Sequence, residues 1–459
     1  MLRCARQLFR DQSLLCTAPI ITLVTVASLD AADKNLLASS FPVLARTLHL
    51  DISILGYFSL FSNLSYALAL PLWGYLIHRY GIDNIHLLLA TSCLSWGITT
   101  LGVVLFDESI FLQAVFRALN GVALASVMPL TQTLLVEIVP SSMRGRAFGF
   151  MGVCEKLAGM FAATFVVYMD NWQIPYYIMA FLSVMFAFIV KSELDPNKSK
   201  SDFRGVYQQV NICDSVKGHR DSKLSILQII QRIARIPAFV CLVAQGVFGG
   251  TPWDIMSFML LLLNWRNFHT EQIVAIQIAM GIGGTIGGWL GGTLGDWAAV
   301  RHGNRGRIYV AFTSVVGGIP LYAKFLYATE YEYALLYMFA FSVIGSWPGA
   351  AALRPICAYL AQNASERAQI VSMWMMLEKA SGAIFGAPLV GYLASNLIDG
   401  LREAGDGSES IYADEKAGAL AFYLCVLSSF FWALCSMFWL LMDYYMPLGD
   451  DVKLSVNAG

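Results

Sequence analysis

Apolar runs of about twenty residues or more recur along nearly the whole of this chain. Each is long enough to cross roughly 30 Å of hydrocarbon at about 1.5 Å per helical residue. There are about twelve of them, over 14–46, 53–77, 85–106, 109–139, 147–168, 173–191, 237–263, 270–298, 308–328, 333–361, 369–398 and 417–443. Composition points the same way: 57% of the 459 residues are hydrophobic and only 13% are charged, with a mean hydropathy of +0.60. A soluble chain carries about a quarter charged residues. The expected fold class is therefore all-α, a polytopic membrane protein with the lipid bilayer as its solvent.

A pattern stated twice organises these runs. Arg144 stands eleven residues before Glu155-Lys156, and Arg367 stands eleven residues before Glu378-Lys379, an offset of 223 in both cases. Similar small residues follow each pair, Leu157-Ala158-Gly159 and Ala380-Ser381-Gly382. The chain reads as two related halves of six spans each. A duplicated bundle that keeps ions inside apolar stretches, where a charge costs roughly 2.5–3.5 kcal/mol or more, is how secondary transporters are built.

Lys and Arg concentrate in short cytosolic loops. One side of the chain receives Arg3, Arg6 and Arg10, then Arg79, Arg144 and Arg146, a basic central loop, Arg301, Arg305 and Arg307, and Arg367. The other receives little beyond Arg46, Arg266, Arg402 and Lys416, and holds Asp107-Glu108 and the acidic run from Asp406 to Glu415. Both termini are expected in the cytosol, which requires an even number of spans. The polar stretch with Asp195-Pro196-Asn197-Lys198 near its start reads as a linker. The expected division is an N-terminal bundle over 1–191, a cytosolic linker over 192–236, a C-terminal bundle over 237–445 and a short tail over 446–459. The end of the linker, Leu224 to Arg235, has apolar residues at helical spacing and suits a surface helix as well as a solvated tether.

Within the spans the charged residues are the candidate site. Asp30, Asp33 and Lys34 lie within two helical turns, with Asp30 related to Asp33 by i+3 and to Lys34 by i+4, so they can share one face. Two carboxylates and one ammonium cannot neutralise one another: either a net negative charge persists or one carboxyl takes a proton. That is the composition of a proton or cation coupling site, although Asp30 could instead cap a break in the helix. Asp254 in the seventh span follows Asp33 by 221 residues and is expected to occupy the equivalent place. Adjacent residues on a helix splay by about 100°. One member of each Glu-Lys pair should therefore face inward, while the other can pair with a neighbouring helix, for instance with Arg117 or Arg354; a purely structural network is the alternative. Gly281 to Gly292 in the eighth span permit close backbone approach, and Trp347-Pro348-Gly349 in the tenth loosens its helix. Trp253, Trp347 and Trp374 can stack a sugar or a quaternary ammonium, or sit at the membrane interface.

Two six-helix bundles joined by a cytosolic loop resemble the major facilitator superfamily. Its motif G-x-L-x-D-R-x-G-R-(K/R), between the second and third helices, is matched by Gly74, Leu76, Arg79 and Gly81, with His78 in place of the Asp. A second copy follows as Gly292-Thr293-Leu294-Gly295-Asp296, with Arg301, Arg305 and Arg307 downstream. The resemblance implies that these glycines let helix ends approach and that Asp296 locks the cytosolic side through cations and helix termini. His78 would make the N-terminal lock weaker or pH-sensitive, or is an ordinary loop histidine. Arg117-Ala118-Leu119-Asn120-Gly121 matches the R-x-x-x-G of the fourth helix. With Asp33-Lys34 and Ala125-Ser126 it resembles the spinster branch, which moves lysophospholipids and sphingosine-type lipids; Lys34 and Leu124 stand where that branch carries Arg and Glu.

Other classes find little support. The net charge of −1 suggests no nucleic-acid partner, and the nine cysteines show no C-x-x-C or Cys/His ligand spacing. No metal or cofactor is expected. Neither a phosphate-binding G-x-x-x-x-G-K-(S/T) loop nor H-E-x-x-H occurs, which argues against an enzyme and against ATP-driven pumping. The expected function is secondary transport of a small organic solute or lipid by alternating access, with protons as the coupling partner, by a monomer. The alternative is a sensor or scaffold that keeps the fold without sustained flux. Loss of the Asp at position 78 favours that alternative, and charges retained in the bundle at an insertion cost disfavour it.

Overall fold

The computed structural model describes residues 17–80, 84–139, 144–169, 171–194, 237–353, 355–356, 364–404 and 409–446. Side chains at 77–80, 137, 144–146, 364–372, 399–404 and 409–413 are outside that description, as are Gly81 and Arg354 altogether. His78, Arg79, Arg144 and Arg367 therefore lie on helices whose side chains are not described there, and the linker from 195 to 236 lies outside entirely.

The described residues form helices and no strand. The reason is that in hydrocarbon every backbone N–H and C=O must be satisfied within the segment. In chain order they are α1 (Ala18–Thr47), α2 (Ile52–Tyr80), α3 (Ile85–Leu105), α4 (Ile110–Leu124), α5 (Val127–Ile138), α6 (Arg144–Met169) and α7 (Gln173–Glu193). Then come α8 (Pro237–Ile255), α9 (Met259–Trp265), α10 (Thr270–His302), α11 (Asn304–Tyr327), α12 (Tyr331–Gly345), α13 (Ala364–Phe385), α14 (Ala387–Ala404) and α15 (Glu409–Tyr445). Among the described residues eleven spans are long and apolar enough to cross a membrane. The twelfth expected span is α1, a continuous helix of 30 residues with Asp30, Asp33 and Lys34 near its middle. Its charge, not its length, sets it apart.

Hydroxyls inside the spans cost little because they bond to their own helix. Ser28, Ser40, Ser183 and Ser436 each donate to the carbonyl four residues back, the short-range alternative open to serine. Large apolar side chains such as Phe111, Trp289 and Val300 point outward, as lipid-facing residues do.

The chain forms two compact units. One draws its described residues from Met1–Leu44 and Phe61–Lys223, the other from Ala45–Leu60 and Leu224–Gly459. In the first, α3 packs on α7 and α4. In the second, α8 packs on α13 and α15, and α10 on α12. A buried cluster that includes Phe239, Leu242, Ile308, Ala311, Trp439 and Met442 forms the core there. The stretch Ala45–Leu60 belongs to the second unit because Gly56 sits against the backbone of Ala387 and Pro388, and Gly391 against that of Ile52. Between α10 and α11 the chain turns through Gly303, whose φ of 60° favours glycine.

The tenth span shows how proline shapes this unit. Pro348 has no N–H to give to the carbonyl of Ile344, so α12 stops at Gly345 and the chain continues into a π-helical turn over Gly349–Leu353. The Ile344 carbonyl takes the Ser346 N–H at the helix end, and the fully buried Ser314 hydroxyl of α11 donates to it at 2.5 Å. Ser314→Ala is expected to lower thermal stability by about 1 kcal/mol, the net worth of one such bond. A melt in detergent with an unchanged midpoint would show the bond to be dispensable.

Candidate functional site

The first unit gathers a polar cluster around α1. Lys34 Nζ donates to Asp30 Oδ2 at 2.6 Å and to the Tyr66 hydroxyl at 3.3 Å, and lies 4.6 Å from the centre of the Tyr66 ring. Asp30 is 2% exposed and sits in the interior of α1. It is thus the i,i+4 partner of Lys34 and not a cap at a helix break. Asp33 is also buried, makes no hydrogen bond of ordinary geometry, and leaves Oδ1 without a partner. It lies within electrostatic reach of Asp30, Lys34 and Arg117, with the Trp96 indole beside it.

Arg117 enters the same cluster from α4. It is 3% exposed, donates to the Tyr176 hydroxyl at 3.2 Å and to Gln113 Oε1 at 3.5 Å, and its guanidinium lies 5.5 Å from the centre of the Tyr176 ring. One turn further on, Asn120 donates to Thr100 of α3 at 2.7 Å. A buried guanidinium needs such partners. The sequence signals that need but does not name Tyr176 on α7, Tyr66 on α2 or Trp96 on α3, because nothing in a linear spacing says which helices meet. On α6, Glu155 is half-buried and Lys156 exposed.

The second unit holds a different arrangement. The Asp254 carboxylate of α8 lies against the backbone of Gly382 on α13, where any side chain would overlap it, and the Glu378 stem lies in the same way against Gly250. Lys379 is in electrostatic contact with both carboxylates. The Thr251 and Ser381 hydroxyls sit 3.0 Å apart, and Ser381 also reaches the carbonyl of Val247 at 3.1 Å. The two glycines thus let two carboxylates sit between crossing helices.

Comparing the repeats corrects one expectation. Gly159 is the repeat partner of Gly382, and the side chain packed on it is Asn35, not Asp33. Asp254 therefore corresponds to Asn35 by contact. Two residues on a helix are about 200° apart, so Asp33 turns to α3, α4 and α7 while Asp254 turns to α13. The offset of 221 does not carry Asp33 onto Asp254, because helix phase is set by packing and not by sequence number.

The glycines of the gate motif differ in how closely they are packed. A side chain at Gly74 would meet open space within 4 Å, and one at Gly292 would meet only Ala350 Cβ at an ordinary 3.8 Å. The close approach belongs to Gly291 and Gly295, packed on Trp347 and Ala351. Asp296, 74% exposed, pairs at 2.6 Å with Arg307, which also donates to the Ala351 carbonyl at 3.0 Å. The Asp therefore links α10 to α11 inside its own unit. An exposed ion pair contributes about 0–1 kcal/mol. Asp296→Asn is expected to leave the melting midpoint nearly unchanged, and a loss of several kcal/mol in a detergent melt would contradict that.

A family model described as Major Facilitator Superfamily matches residues 23–387. A galacturonate transporter of Dickeya chrysanthemi is 27% identical over 172 residues, 37% of this chain and 49% of that protein; the match spans about half of that relative's length. A bacterial homologue of the human lysosomal transporter Spinster, solved inward-facing and unoccupied, superposes with a TM-score of 0.74 at 15% identity, over 93% of this chain and 96% of the other. A D-xylose-proton symporter gives 0.62 at 12% identity, over 89% and 96%. At such identities the structural likenesses speak to fold alone.

Proposed function

This chain belongs to the major facilitator superfamily, and we propose that it is a secondary transporter that moves a small organic solute by alternating access, coupled to protons through Asp33. The carrying observation is the Asp33 carboxylate, buried among α1, α3, α4 and α7 with its Oδ1 lacking a hydrogen-bond partner. Its neighbours are already committed: Lys34 to Asp30 and Tyr66, Arg117 to Tyr176 and Gln113. A carboxylate held in apolar surroundings beside cations with other partners can take a proton at small structural cost. One matched protein is a galacturonate transporter, and one protein of the same fold is a D-xylose-proton symporter.

The Glu155-Lys156 and Glu378-Lys379 pairs, Asp254 and Arg117 complete the proposed substrate and coupling set, with Asp296 as a gate residue. Both termini belong in the cytosol on the distribution of Lys and Arg. A spinster-type lipid is the finer form of this reading, supported by Asp33-Lys34 and by Arg117 with Gly121, Ala125 and Ser126. Leu124, buried at 3% exposure, supplies no carboxylate where that branch has one, so any proton must be carried elsewhere.

Proteoliposomes offered a lysophospholipid, amino acids, hexoses and carboxylates, with and without an inward proton gradient, test this reading. Gradient-driven uptake of one class is expected. Uptake of none would move the assignment to a sensor or scaffold, and uptake indifferent to the gradient would reject the proton.

A further inference from the structure

The second unit contains a cavity of about 300 Å³ bounded by α8, α11, α12, α13 and α15. That is the lower end of the range in which small-molecule sites fall, roughly 300–1,000 Å³. Glycines keep it open: Gly246, Gly249 and Gly250 line it from α8, Gly318 from α11, and Gly345 and Gly349 from α12 and the π turn. One wall is a continuous aromatic surface. Trp253 lies 5.8 Å from Phe341, and Phe341 lies 5.5 Å from Trp432, centre to centre.

Glu378 is the one ionisable acid or base of ordinary charge among the lining residues described. Its stem is fixed against Gly250, and its carboxylate makes no hydrogen bond among the described residues. With Asp254 and Lys379 beside it, the group carries one more acid than base. The remaining polar lining spends its donors on backbone: Ser314 on the Ile344 carbonyl, Ser346 on that of Ser342 at 2.8 Å, and Gln245 on that of Leu242 at 2.9 Å. Gln245 Oε1 receives only a thiol at 3.9 Å. The Trp439 indole N–H is buried without a partner of ordinary geometry.

We propose that this cavity is a binding site for a small organic cation, an ammonium held by the Glu378 carboxylate and the Trp253–Phe341–Trp432 wall. A polyol needs several donors as well as acceptors, and here both hydroxyl donors and one of the two Gln245 amide N–H groups are already bound to backbone carbonyls. What is left over is a carboxylate, a carbonyl oxygen and aromatic faces, the set that stabilises a desolvated cation. The unpaired Trp439 N–H can in addition meet one acceptor on the ligand. This inference concerns binding alone, so it stands or falls separately from proton-coupled flux.

The test uses purified full-length protein in nanodiscs, titrated with tetramethylammonium, with choline and with the neutral carbon isostere dimethylbutanol, and read by tryptophan fluorescence and calorimetry. Both ammonium ions are expected to bind and the alcohol is not. Glu378→Gln should weaken ammonium binding by about tenfold or more, as loss of a desolvated charge contact does. Gly345→Leu, which fills the cavity and leaves the carboxylate in place, should abolish it. Absence of ammonium binding, equal binding of the alcohol, or parental affinity in either variant would overturn the proposal. Size exclusion verifies that each variant is folded, and if Glu378→Gln is not, the isostere comparison and Gly345→Leu decide.

Discussion

Asp33→Asn is expected to abolish accumulation driven by a pH gradient in proteoliposomes while leaving exchange of solute across the membrane measurable. One proton per solute and a gradient of one pH unit sustain about tenfold accumulation, since each unit is worth about 1.36 kcal/mol. The variant should therefore settle at a ratio near one. Asparagine keeps the shape of the side chain and its place beside Trp96, but it cannot ionise, and exchange moves no net proton. Asp30→Asn makes the informative contrast. Asp30 is the partner of Lys34 at 2.6 Å, so its replacement removes the charge that faces that ammonium and should act on stability as well as on coupling. Equal accumulation by Asp33→Asn and its parent would remove Asp33 from the coupling site.

The second large effect concerns α10 and the tenth span, α12 with the π turn that follows it. Gly283, Gly287, Gly291 and Gly295 recur every four residues and meet Phe339, Val343, Trp347 and Ala351, which recur at the same interval. Transmembrane helices gain little from hydrophobic exclusion, so close packing of small residues carries their association. A side chain at Gly287 would overlap the Val343 carbonyl oxygen, and a backbone atom cannot rotate away. Gly287→Leu is expected to force the helices apart along the whole row and to prevent recovery of monodisperse protein. Gly287→Ala should cost about 1–3 kcal/mol, as overpacking does, and lower the melting midpoint by several degrees. Gly292→Ala adds the same methyl where the nearest atom is 3.8 Å away and should be close to neutral. Equal melting of the two alanine variants would show that this row of glycines does not hold the helices together.

The helical class and the placement of the spans were legible in the linear chain, because hydrocarbon thickness sets the length of an apolar run and forces the backbone to satisfy itself. The runs over 173–191, 237–263 and 270–298 match α7, the α8–α9 pair and α10 to within a few residues. The i,i+4 relation of Asp30 and Lys34 was legible too, since it lies within one helix. So was the glycine row of α10, whose period is that of a helix face.

Contacts that cross helices were not. That Tyr176 receives Arg117, that Trp96 lies beside Asp33, and that Gly382 and Gly250 each cradle a carboxylate from the facing helix depend on rotation and depth of packing, which no spacing encodes. The same freedom explains why Asn35 and not Asp33 matches Asp254 against the repeat glycines: an error of two residues in register turns a side chain to the opposite face. Local chemistry and the solvent thus determined which segments are helices and where charge enters them. The tertiary structure alone decided which of those charges meet and which are left over, because burial penalises an ion according to its neighbours and not its position in the chain.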